Sequence, residues 1–289
     1  MNWKKLFRRY KRKTRLSKNF ILDEVGAEIR LNHYFILLLY DLCPSFPKRG
    51  VSLYRTNTLK YAVTTSFDAT SLMCPPRYGD GRFLPLTAWV VEDSSGKVEI
   101  TCIGDTMDIV SPDGLSLWYK ERLTGNYEIT YRVQVVVENG SYDRLSDLNC
   151  FWGADDPRHP DDFFARSAWR NGEFKNYNTL DLYYVGYGGN DNGTTRFREY
   201  HGEYYGVDDA KIKPILKEYT DAAHLLKPNH WYEVKIRVEN GATTYAMDGE
   251  ELFSLPVADG KGDGYFALRL WQNHVRFADF QVANIDNLK

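Results

Sequence analysis

The sequence has few cysteines, a net charge close to zero and no apolar run of membrane-spanning length. The apolar stretch at residues 34–40 is far shorter than the ~20 residues that cross a bilayer as a helix. The cysteines Cys43, Cys74, Cys102 and Cys150 have no C-x-x-C spacing, which excludes a zinc ribbon and a dithiol redox motif. A net charge of −2 provides no global field to attract nucleic acid.

Familiar catalytic signatures are also missing. There is no G-x-S-x-G elbow, no H-E-x-x-H zinc motif, no Walker loop and no E-x-D-x-x-E pattern of jelly-roll glucanases. The glycine-rich run at residues 186–190 has no helical pattern behind it, so we expect a loop at a cleft rim rather than a phosphate cradle. No internal repeat is visible, which argues against a propeller.

Two predictions concern the cysteines. A pairing of Cys74 with Cys102 requires an oxidising compartment. Cys150 lies between Leu148 and Trp152 in a strand-like run, and its default role is that of a small buried hydrophobic residue.

Hydrophobic and aromatic residues, in contrast, are plentiful. Hydrophobic residues make up 43% of the 289 positions, enough for a sizeable core, which excludes wholesale disorder. Aromatic residues reach 15%, with 21 Tyr and 7 Trp, and such side chains suit the pleated surface of a β-sheet. Flat rings also stack on the apolar faces of sugars, although most single rings of this kind belong to core packing.

Residues 1–50 differ from the rest of the chain. Their basic residues are Lys4, Lys5, Arg8, Arg9, Lys11, Arg12, Lys13, Arg15 and Lys18. The apolar stretch behind this run matches the short end of a signal-peptide core, but Asp41 follows it and no small-x-small cleavage site is present. We interpret the segment as an atypical leader or extension, with a basic arm for nucleic acid or anionic lipid as the alternative. A leader implies a periplasmic or extracellular protein, and its absence a cytoplasmic one.

Residues 51–289 are predicted to form one domain, with its core at about residues 86–283. At residues 128–137 apolar and polar side chains alternate, which predicts a half-buried strand, and residues 230–238 repeat the pattern. The other strand candidates are residues 86–92, 97–103, 115–120, 147–153, 180–188, 194–201, 243–247, 250–254, 264–271 and 275–283.

Turn signals with glycine separate these strands. Asp248-Gly249, for example, predicts a tight hairpin between the strands on either side of it. Helical patterns are confined to two short runs, residues 161–169 and 214–219. A dozen short strands with such turns are typical of an all-β, two-sheet antiparallel jelly-roll sandwich.

Three strand segments carry polar or aromatic residues on one face and large apolar residues on the other. They lie at residues 146–152, 194–201 and 265–274. The outward residues include Phe151, Tyr265 and Arg269. We expect eight outward residues to converge on one concave surface: Asp147, Asn149, Arg196, Arg198, Tyr200, Trp271, Asn273 and His274. Because arginine pairs bind carboxylates bidentately, such a surface suits a glycan that contains uronic acid. The alternative is an exposed sheet face whose arginines are solvated or paired.

The chain contains the segments SDLNCFWGADDP (146–157), DDFF (161–164), YYVGYGGN (183–190), TTRFREY (194–200) and QNH (272–274). In this order they resemble the YesU-like family, bacterial proteins often found with pectin and rhamnogalacturonan degradation systems. The resemblance covers roughly residues 86–283. It implies a concanavalin A-like, galectin-like jelly roll and a plant polysaccharide as the substrate class, but no particular mechanism.

We therefore expect a carbohydrate-active protein that acts on a uronic-acid-containing plant polysaccharide, with a β-eliminating lyase as the leading reaction. A lyase must neutralise the carboxylate, remove the neighbouring proton and protonate the leaving oxygen. The predicted catalytic residues are Tyr200, His274 and Arg198, with His201 as a further proton-transfer candidate. The predicted substrate-binding residues are Asp147, Asn149, Tyr187, Arg196, Arg269, Trp271 and Asn273.

Three alternatives stay open. The first is a non-catalytic carbohydrate-binding protein of the same fold, and the second is an interaction module with no glycan role. The third is a glycoside hydrolase, which needs two carboxyl groups about 5–10 Å apart. Asp147 and Glu199 are the candidates for that pair, but the strand alternation places them on opposite faces.

No cofactor is required by these reactions. The acidic residues Asp155, Asp156, Asp161 and Asp162 surround two prolines, and oxygen-rich loops of this kind favour Ca²⁺. A structural calcium ion is therefore one hypothesis and a solvated acidic loop is the other. The predicted partner is a poly- or oligosaccharide, with no nucleic acid and no transmembrane segment.

Overall fold

The computed structural model describes residues 86–103, 105–258 and 261–286, together with the backbone of two short strands nearer the N-terminus. The predictions for residues 1–50, and for Cys74, lie outside the described residues. Cys102 takes part in a disulfide bond, and Cys150 is free and buried. No helix in the described part of the chain is long and apolar enough to cross a membrane.

Strands dominate the described residues. They are β1 (Ser52–Arg55), β2 (Tyr61–Thr64), β3 (Trp89–Asp93), β4 (Glu99–Ile103), β5 (Thr106–Tyr119), β6 (Tyr127–Val135), β7 (Leu148–Asp155), β8 (Asp181–Gly188), β9 (Thr194–Tyr200), β10 (Ile215–Tyr219), β11 (Trp231–Glu239), β12 (Ala242–Met247), β13 (Glu250–Pro256) and β14 (Tyr265–Asn284). Three short helical elements are present among the described residues: α1 (Ser167–Arg170), α2 (Gly189–Asn192), which has left-handed residues inside it, and α3 (Asp209–Ile212). Separate 3₁₀ turns lie at Leu86–Ala88, Phe163–Arg166, Phe174–Thr179, Gly202–Tyr204 and Ala222–His224.

The strands β1 and β2 pair antiparallel with each other. The remaining strands form two sheets that share the long strands β5 and β14. The front sheet runs β10-β9-β8-β7, then the first half of β14, then the second half of β5 with β3. The back sheet runs β13-β12-β11-β6, then the second half of β14, then the first half of β5 with β4. The protein is therefore a two-sheet antiparallel jelly-roll sandwich, which confirms the predicted fold class.

The strand β14 passes from the front sheet to the back sheet at a bulge. Gln272 has a φ of 49°, and the pairing of β14 with β5 shifts between Trp271 and Asn273. Because the bulge inserts one residue, the side chains that face the core change from even to odd positions. Leu270 faces the core before the bulge and Val275 faces it afterwards, both without exposed surface.

The core between the sheets consists of alternate residues from each strand. The burial predicted for the inward positions is confirmed, since all of them are at most 3% exposed: Val133, Val135, Val234, Ile236, Phe266 and Leu268. Burying such side chains is the main favourable contribution to folding.

A second aromatic cluster lies on the other face of the front sheet, beneath residues 156–180, which we call the cover segment. The cluster contains Trp118, Phe151, Phe163, Tyr177, Tyr184 and Tyr200. Arg170 of the cover segment has no exposed surface and lies 2.9 Å from Glu92 of β3, which also accepts a hydrogen bond from Tyr177. This buried ion pair fixes the cover segment to the sheet.

One of the two predicted helical runs is confirmed and the other is wrong. Residues 161–169 contain the 3₁₀ turn Phe163–Arg166 and the start of α1. Residues 214–219, in contrast, contain the strand β10, which pairs with β9 at the edge of the front sheet. The open edge of β9 offers backbone partners to this segment, and such tertiary pairing overrides local preference.

Candidate functional site

A cleft of about 380 Å³ lies on the outer face of the front sheet, beside the cover segment. Its floor is a row of paired residues that crosses four strands. Arg269 of β14 pairs with Asn149 of β7, Asn149 with Gly186 of β8, and Gly186 with Arg196 of β9. Directly opposed residues in antiparallel strands share a face, so this row projects into one cleft.

Arg269 lies at the β14 end of the floor and is only 3% exposed. Its Nη1 donates a hydrogen bond of 2.7 Å to the carbonyl oxygen of Gly172, and its guanidinium carbon lies 5.4 Å from the ring centroid of Phe174. No carboxylate of the described residues forms an ion pair with it. Because a buried charge without a counter-ion is costly, this position favours an anionic group in the cleft.

The other two arginines of the cleft lie on β9. Arg196 donates to the carboxylate of Glu218 on β10, so its charge is balanced. Arg198 donates to the carbonyl oxygen of Lys213 and has no acidic partner in the part of the chain that the structure describes. Burial, and then the nearby charge of Arg198, lower the pKa of Lys213. Arg198 is therefore a second cleft guanidinium without a carboxylate partner among the described residues.

Tyr184 lines the cleft directly opposite Arg198 in the pairing of β8 with β9. Its hydroxyl lies over Gly186, where a Cβ atom would come within 2.5 Å of it. Burial raises the pKa of Tyr184 well above its usual value, against smaller lowering effects of Arg269 and Arg198. The phenol is therefore protonated at neutral pH and can donate a hydrogen bond to a ligand.

Two exposed aromatic rings stand at the cleft. Trp271 is 41% exposed, and its Nε1 donates a hydrogen bond of 3.0 Å to Asp113. Phe174 of the cover segment is 36% exposed, with the Lys213 Nζ atom 4.6 Å from its ring centroid. Exposed rings held in fixed positions are suited to stacking on the apolar faces of a sugar.

Asp147 and Asn149 form the polar centre of the site. Asp147, with a φ of 61°, accepts hydrogen bonds from Arg144 and from the Ser146 hydroxyl. The Asn149 Nδ2 atom lies 3.4 Å from Asp147, while its Oδ1 is buried and has no partner among the described residues. An unpaired buried amide oxygen is costly, so Asn149 is ready to accept a hydrogen bond from a ligand.

The turn Gly189–Asn192, which we call the rim turn, borders the cleft with Gly189 and Asn190. Three of its residues have left-handed backbone angles, with φ between 54° and 61°. Asn192 secures the turn because its Oδ1 accepts a hydrogen bond from the main-chain N–H of Leu226 and its Nδ2 donates one to the carbonyl oxygen of the same residue. Left-handed non-glycine residues are strained and persist only where surrounding contacts hold them.

The structure brings six of the ten predicted site residues together. The residues that line the cleft are Asp147, Asn149, Arg196, Arg198, Arg269 and Trp271. The four that do not line it are Tyr187, Tyr200, Asn273 and His274.

Tyr187 and Tyr200, the two tyrosines among the predicted site residues, lie outside the cleft for different reasons. Tyr200 does project to the outer face, as the alternation predicts, but the cover segment buries it in the second aromatic cluster, where it is 1% exposed. Tyr187 is opposite Leu148 in the β7–β8 pairing and points into the core between the sheets. Neither hydroxyl is available to a ligand in the cleft.

Asn273 and His274 follow the bulge at Gln272, which switches the faces of β14. Asn273 becomes buried and donates to the carbonyl oxygens of Ser146 and Asp147. The imidazole of His274 is held between two carboxylates, with Nε2 2.8 Å from Asp108 and Nδ1 3.0 Å from Asp143. His274 is therefore part of a surface ion cluster rather than of the cleft.

The remaining candidates also lie elsewhere. Glu199, the second carboxylate of the glycosidase alternative, and its neighbour His201 do not line the cleft. Within the described ranges, no three His, Cys, Asp or Glu side chains are placed to hold a metal ion. Asp162 instead caps the 3₁₀ turn Phe163–Arg166, and Asp156 is buried 3.9 Å from Arg170.

Sequence reasoning missed several residues that line the cleft. They are Ser94, Asp113, Glu173, Phe174 and Tyr184. Strand pairing provides a signal for Tyr184. Gly186 is opposite the outward-facing Asn149, so it faces outward as well. Tyr184 lies two positions before Gly186 in the same strand and therefore points the same way. The cover segment and the loop at Asp113 show no periodic pattern, so their approach to the cleft depends on tertiary packing.

The comparisons with known proteins concern the fold. A family model described as "Domain of unknown function (DUF6250)" matches residues 109–280. No curated protein matches the sequence. A solved Bacillus subtilis protein of unknown function with a galectin-like fold is similar at 14% identity, over 73% of this chain and 93% of that chain, with a TM-score of 0.54.

Two further solved structures are less similar. One is the carbohydrate binding module CBM66 from Bacillus subtilis, at 10% identity over 68% of this chain and 94% of that chain, with a TM-score of 0.44. The other is the VIP36 exoplasmic/lumenal domain in its Ca²⁺/Man-bound form, at 13% identity over 74% of this chain and 89% of that chain, with a TM-score of 0.45. The Bacillus subtilis galectin-like structure supports the shared fold, and the site has to be interpreted from its own residues.

Proposed function

Because the chain belongs to the DUF6250 family, which is described as a domain of unknown function, we propose its function from the cleft itself. The protein binds a carbohydrate that carries carboxylate groups, such as a uronic-acid-containing plant polysaccharide. The observation that carries this proposal is the pair Arg198 and Arg269, two cleft guanidiniums without a carboxylate partner among the described residues.

The charges of the cleft support an anionic ligand. A bound carboxylate supplies the counter-ion that Arg269 and Arg198 lack, through charge-assisted hydrogen bonds that are stronger than neutral ones. The protonated hydroxyl of Tyr184 adds a further donor at the same place. Arg196 contributes less, because Glu218 already balances its charge.

The aromatic rings support a sugar rather than a simple anion. Trp271 and Phe174 expose their rings at the cleft, and Asn149 and Asp147 supply hydrogen-bonding groups at its centre. Sugars present both apolar faces and hydroxyl groups, so this combination suits them. The proposal also agrees with the resemblance of the strand segments to the YesU-like family and its pectin systems.

Catalysis by β-elimination is a second candidate, favoured by the position of Tyr184 beside Arg198 and Arg269, which have no carboxylate partner among the described residues. In that reaction Arg198 and Arg269 neutralise the uronate carboxylate, and a base removes the neighbouring ring proton. The bond to the leaving oxygen then breaks as a carbon–carbon double bond forms, and Tyr184 gives its proton to that oxygen. The candidates for the base are the carboxylates of Asp113, Asp147 and Glu173, all of which line the cleft.

Calorimetric titration with a panel of oligosaccharides tests the proposal. We expect oligogalacturonates and rhamnogalacturonan fragments to bind and neutral glucans to bind more weakly. Arg198→Gln and Arg269→Gln should each weaken the binding, while Arg132→Gln, on the back sheet, should not. If neutral and acidic glycans bind equally, the proposal is wrong. Absorbance of unsaturated uronate during the same incubations decides whether the cleft also catalyses elimination.

A further inference from the structure

One end of the cleft is closed by main chain. The turn at Gly172 in the cover segment stands against Gly114 of β5, and a Cβ atom at either glycine would come within 2.3 Å of the other's carbonyl oxygen. Gly172 is also close to β3 and the residue that follows it, because its Cβ would lie 2.9 Å from the Glu92 carbonyl oxygen and 2.7 Å from the Ser94 nitrogen. Arg269 lies directly inside this barrier and donates to the Gly172 carbonyl. A bound chain cannot continue past β5.

The opposite end of the cleft opens at the edge of the sheet. The strand β10 is the terminal strand of the front sheet, and no further strand in the described part of the chain pairs with its outer side. The ion pair of Arg196 with Glu218, which ends the floor, is partly exposed, with 30% and 36% of the two side chains accessible. A bound chain can therefore leave the cleft across β10.

Resting on the proposed function, we infer that the cleft takes the end of a glycan chain rather than an internal segment. The terminal uronate lies at the closed end, with its carboxylate against Arg269 and its ring over Asn149. The next sugar lies over Gly186, beside the Tyr184 hydroxyl, and the rest of the chain passes Arg196 and leaves over β10. An internal segment would have to pass through the contact of Gly114 with Gly172.

The number of protein molecules bound per glycan chain tests this inference. The full-length protein is titrated calorimetrically with galacturonate oligomers of defined lengths, from the monomer to long oligomers. End recognition predicts one protein molecule per chain at every length. If the number of protein molecules per glycan chain grows with chain length, the inference is wrong but the proposed function stands. If no oligomer of any length binds, both are wrong.

Chemical reduction of the reducing end assigns which end is bound. Conversion of that terminal sugar to an open-chain alditol removes its ring and leaves the other end unchanged. If binding is lost, the cleft takes the reducing end, and if binding is retained, it takes the non-reducing end. If reduction lowers the affinity less and less as the oligomer becomes longer, the protein binds internal segments, which contradicts the inference.

Two matched variants test the direction of the chain. Arg269→Gln should weaken monomer and oligomers by the same factor, about tenfold or more for one charge-assisted contact. Arg196→Gln should leave the monomer unchanged and weaken only oligomers. Equal weakening of the monomer by both variants would overturn the proposed direction. Circular dichroism checks the fold, and if Arg269→Gln does not fold, Arg269→Lys replaces it at the closed end, because lysine keeps the charge but not the two-pronged contact with a carboxylate.

Discussion

The guanidinium carbon of Arg144 lies 4.6 Å from the ring centroid of Trp271 at the cleft rim. The same guanidinium forms ion pairs with Asp147 in the site and, at 2.9 Å, with Asp191 in the rim turn. One side chain therefore fixes the exposed ring, a polar side chain of the site and the rim before a ligand arrives. Such preorganisation reduces the ordering cost of binding.

We expect Arg144→Ala to weaken glycan binding by about 1 kcal/mol, because Trp271 and Asp147 lose their common partner. Calorimetry measures the affinity, and tryptophan fluorescence reports the mobility of the ring. The matched control is Arg158→Ala, which removes a similar contact with Tyr205, 5.2 Å from that ring centroid and away from the cleft. An equal loss of affinity in both variants would show that Arg144 has no special role.

Two neighbouring tyrosines should respond differently to loss of their hydroxyls. The ring centroids of Tyr184 and Tyr200 are 5.9 Å apart, but only Tyr184 lines the cleft. Tyr184→Phe should lower the affinity for a uronate oligosaccharide by about 1 kcal/mol, the usual net contribution of a hydrogen bond. The Tyr200 hydroxyl is buried without a partner among the described residues, so Tyr200→Phe should leave the affinity unchanged and should not lower the stability. The reverse pattern would contradict our assignment of the cleft-facing tyrosine.

The buried pair of Arg170 with Glu92 should matter more for stability than any exposed pair. Glu92→Gln leaves the Arg170 charge poorly compensated, and we expect a loss of about 3 kcal/mol in the free energy of unfolding. Urea denaturation measures this loss. The control is Lys235→Gln, which removes an exposed pair with Glu128 and should cost about 0–1 kcal/mol. A loss for Glu92→Gln as small as that of the control would mean that the cover segment is held by its apolar contacts alone.

Acidification should destabilise the fold partly through Asp143. Desolvation acts to raise the pKa of Asp143, but hydrogen bonds from the main-chain N–H groups of Gly140 and Glu138 and from His274 lower it below 3.8. A carboxylate whose pKa is lower in the folded state stabilises the fold above its unfolded pKa, and this contribution disappears as pH falls through the folded value.

We therefore expect the free energy of unfolding of the wild type to fall more steeply below about pH 4 than that of Asp143→Asn. Urea denaturation at a series of pH values measures both curves, and other acidic groups contribute equally to each. Parallel curves would show that Asp143 has the same pKa in the folded and unfolded states.

The floor of the cleft could be predicted from the sequence because period-two alternation directly reports the face of a strand. That reasoning placed Asn149, Arg196 and Arg198 on one surface, and in the structure these three residues line the same cleft. It failed at His274 because the bulge at Gln272 shifts the alternation by one residue, and neither glycine nor proline marks the bulge in the sequence.

The rest of the site depends on contacts between distant segments. Tyr200 faces outward as its position in β9 requires, but the cover segment closes over it and makes it part of a buried cluster. The same segment brings Phe174 and Gly172 to the cleft. The alternation of apolar and polar residues along a strand shows which way a side chain points, but it does not show which other segment of the chain covers that face of the sheet.

The central claim is that Arg198 and Arg269 make the cleft selective for a carboxylate on a sugar. Calorimetry of one oligogalacturonate as the free acid and as its methyl ester tests this directly, because the two ligands differ only in that charge. We predict that the free acid binds about tenfold or more tightly, and that the difference disappears in the Arg198→Gln, Arg269→Gln double variant. Equal affinities of the wild type for acid and ester would contradict the account.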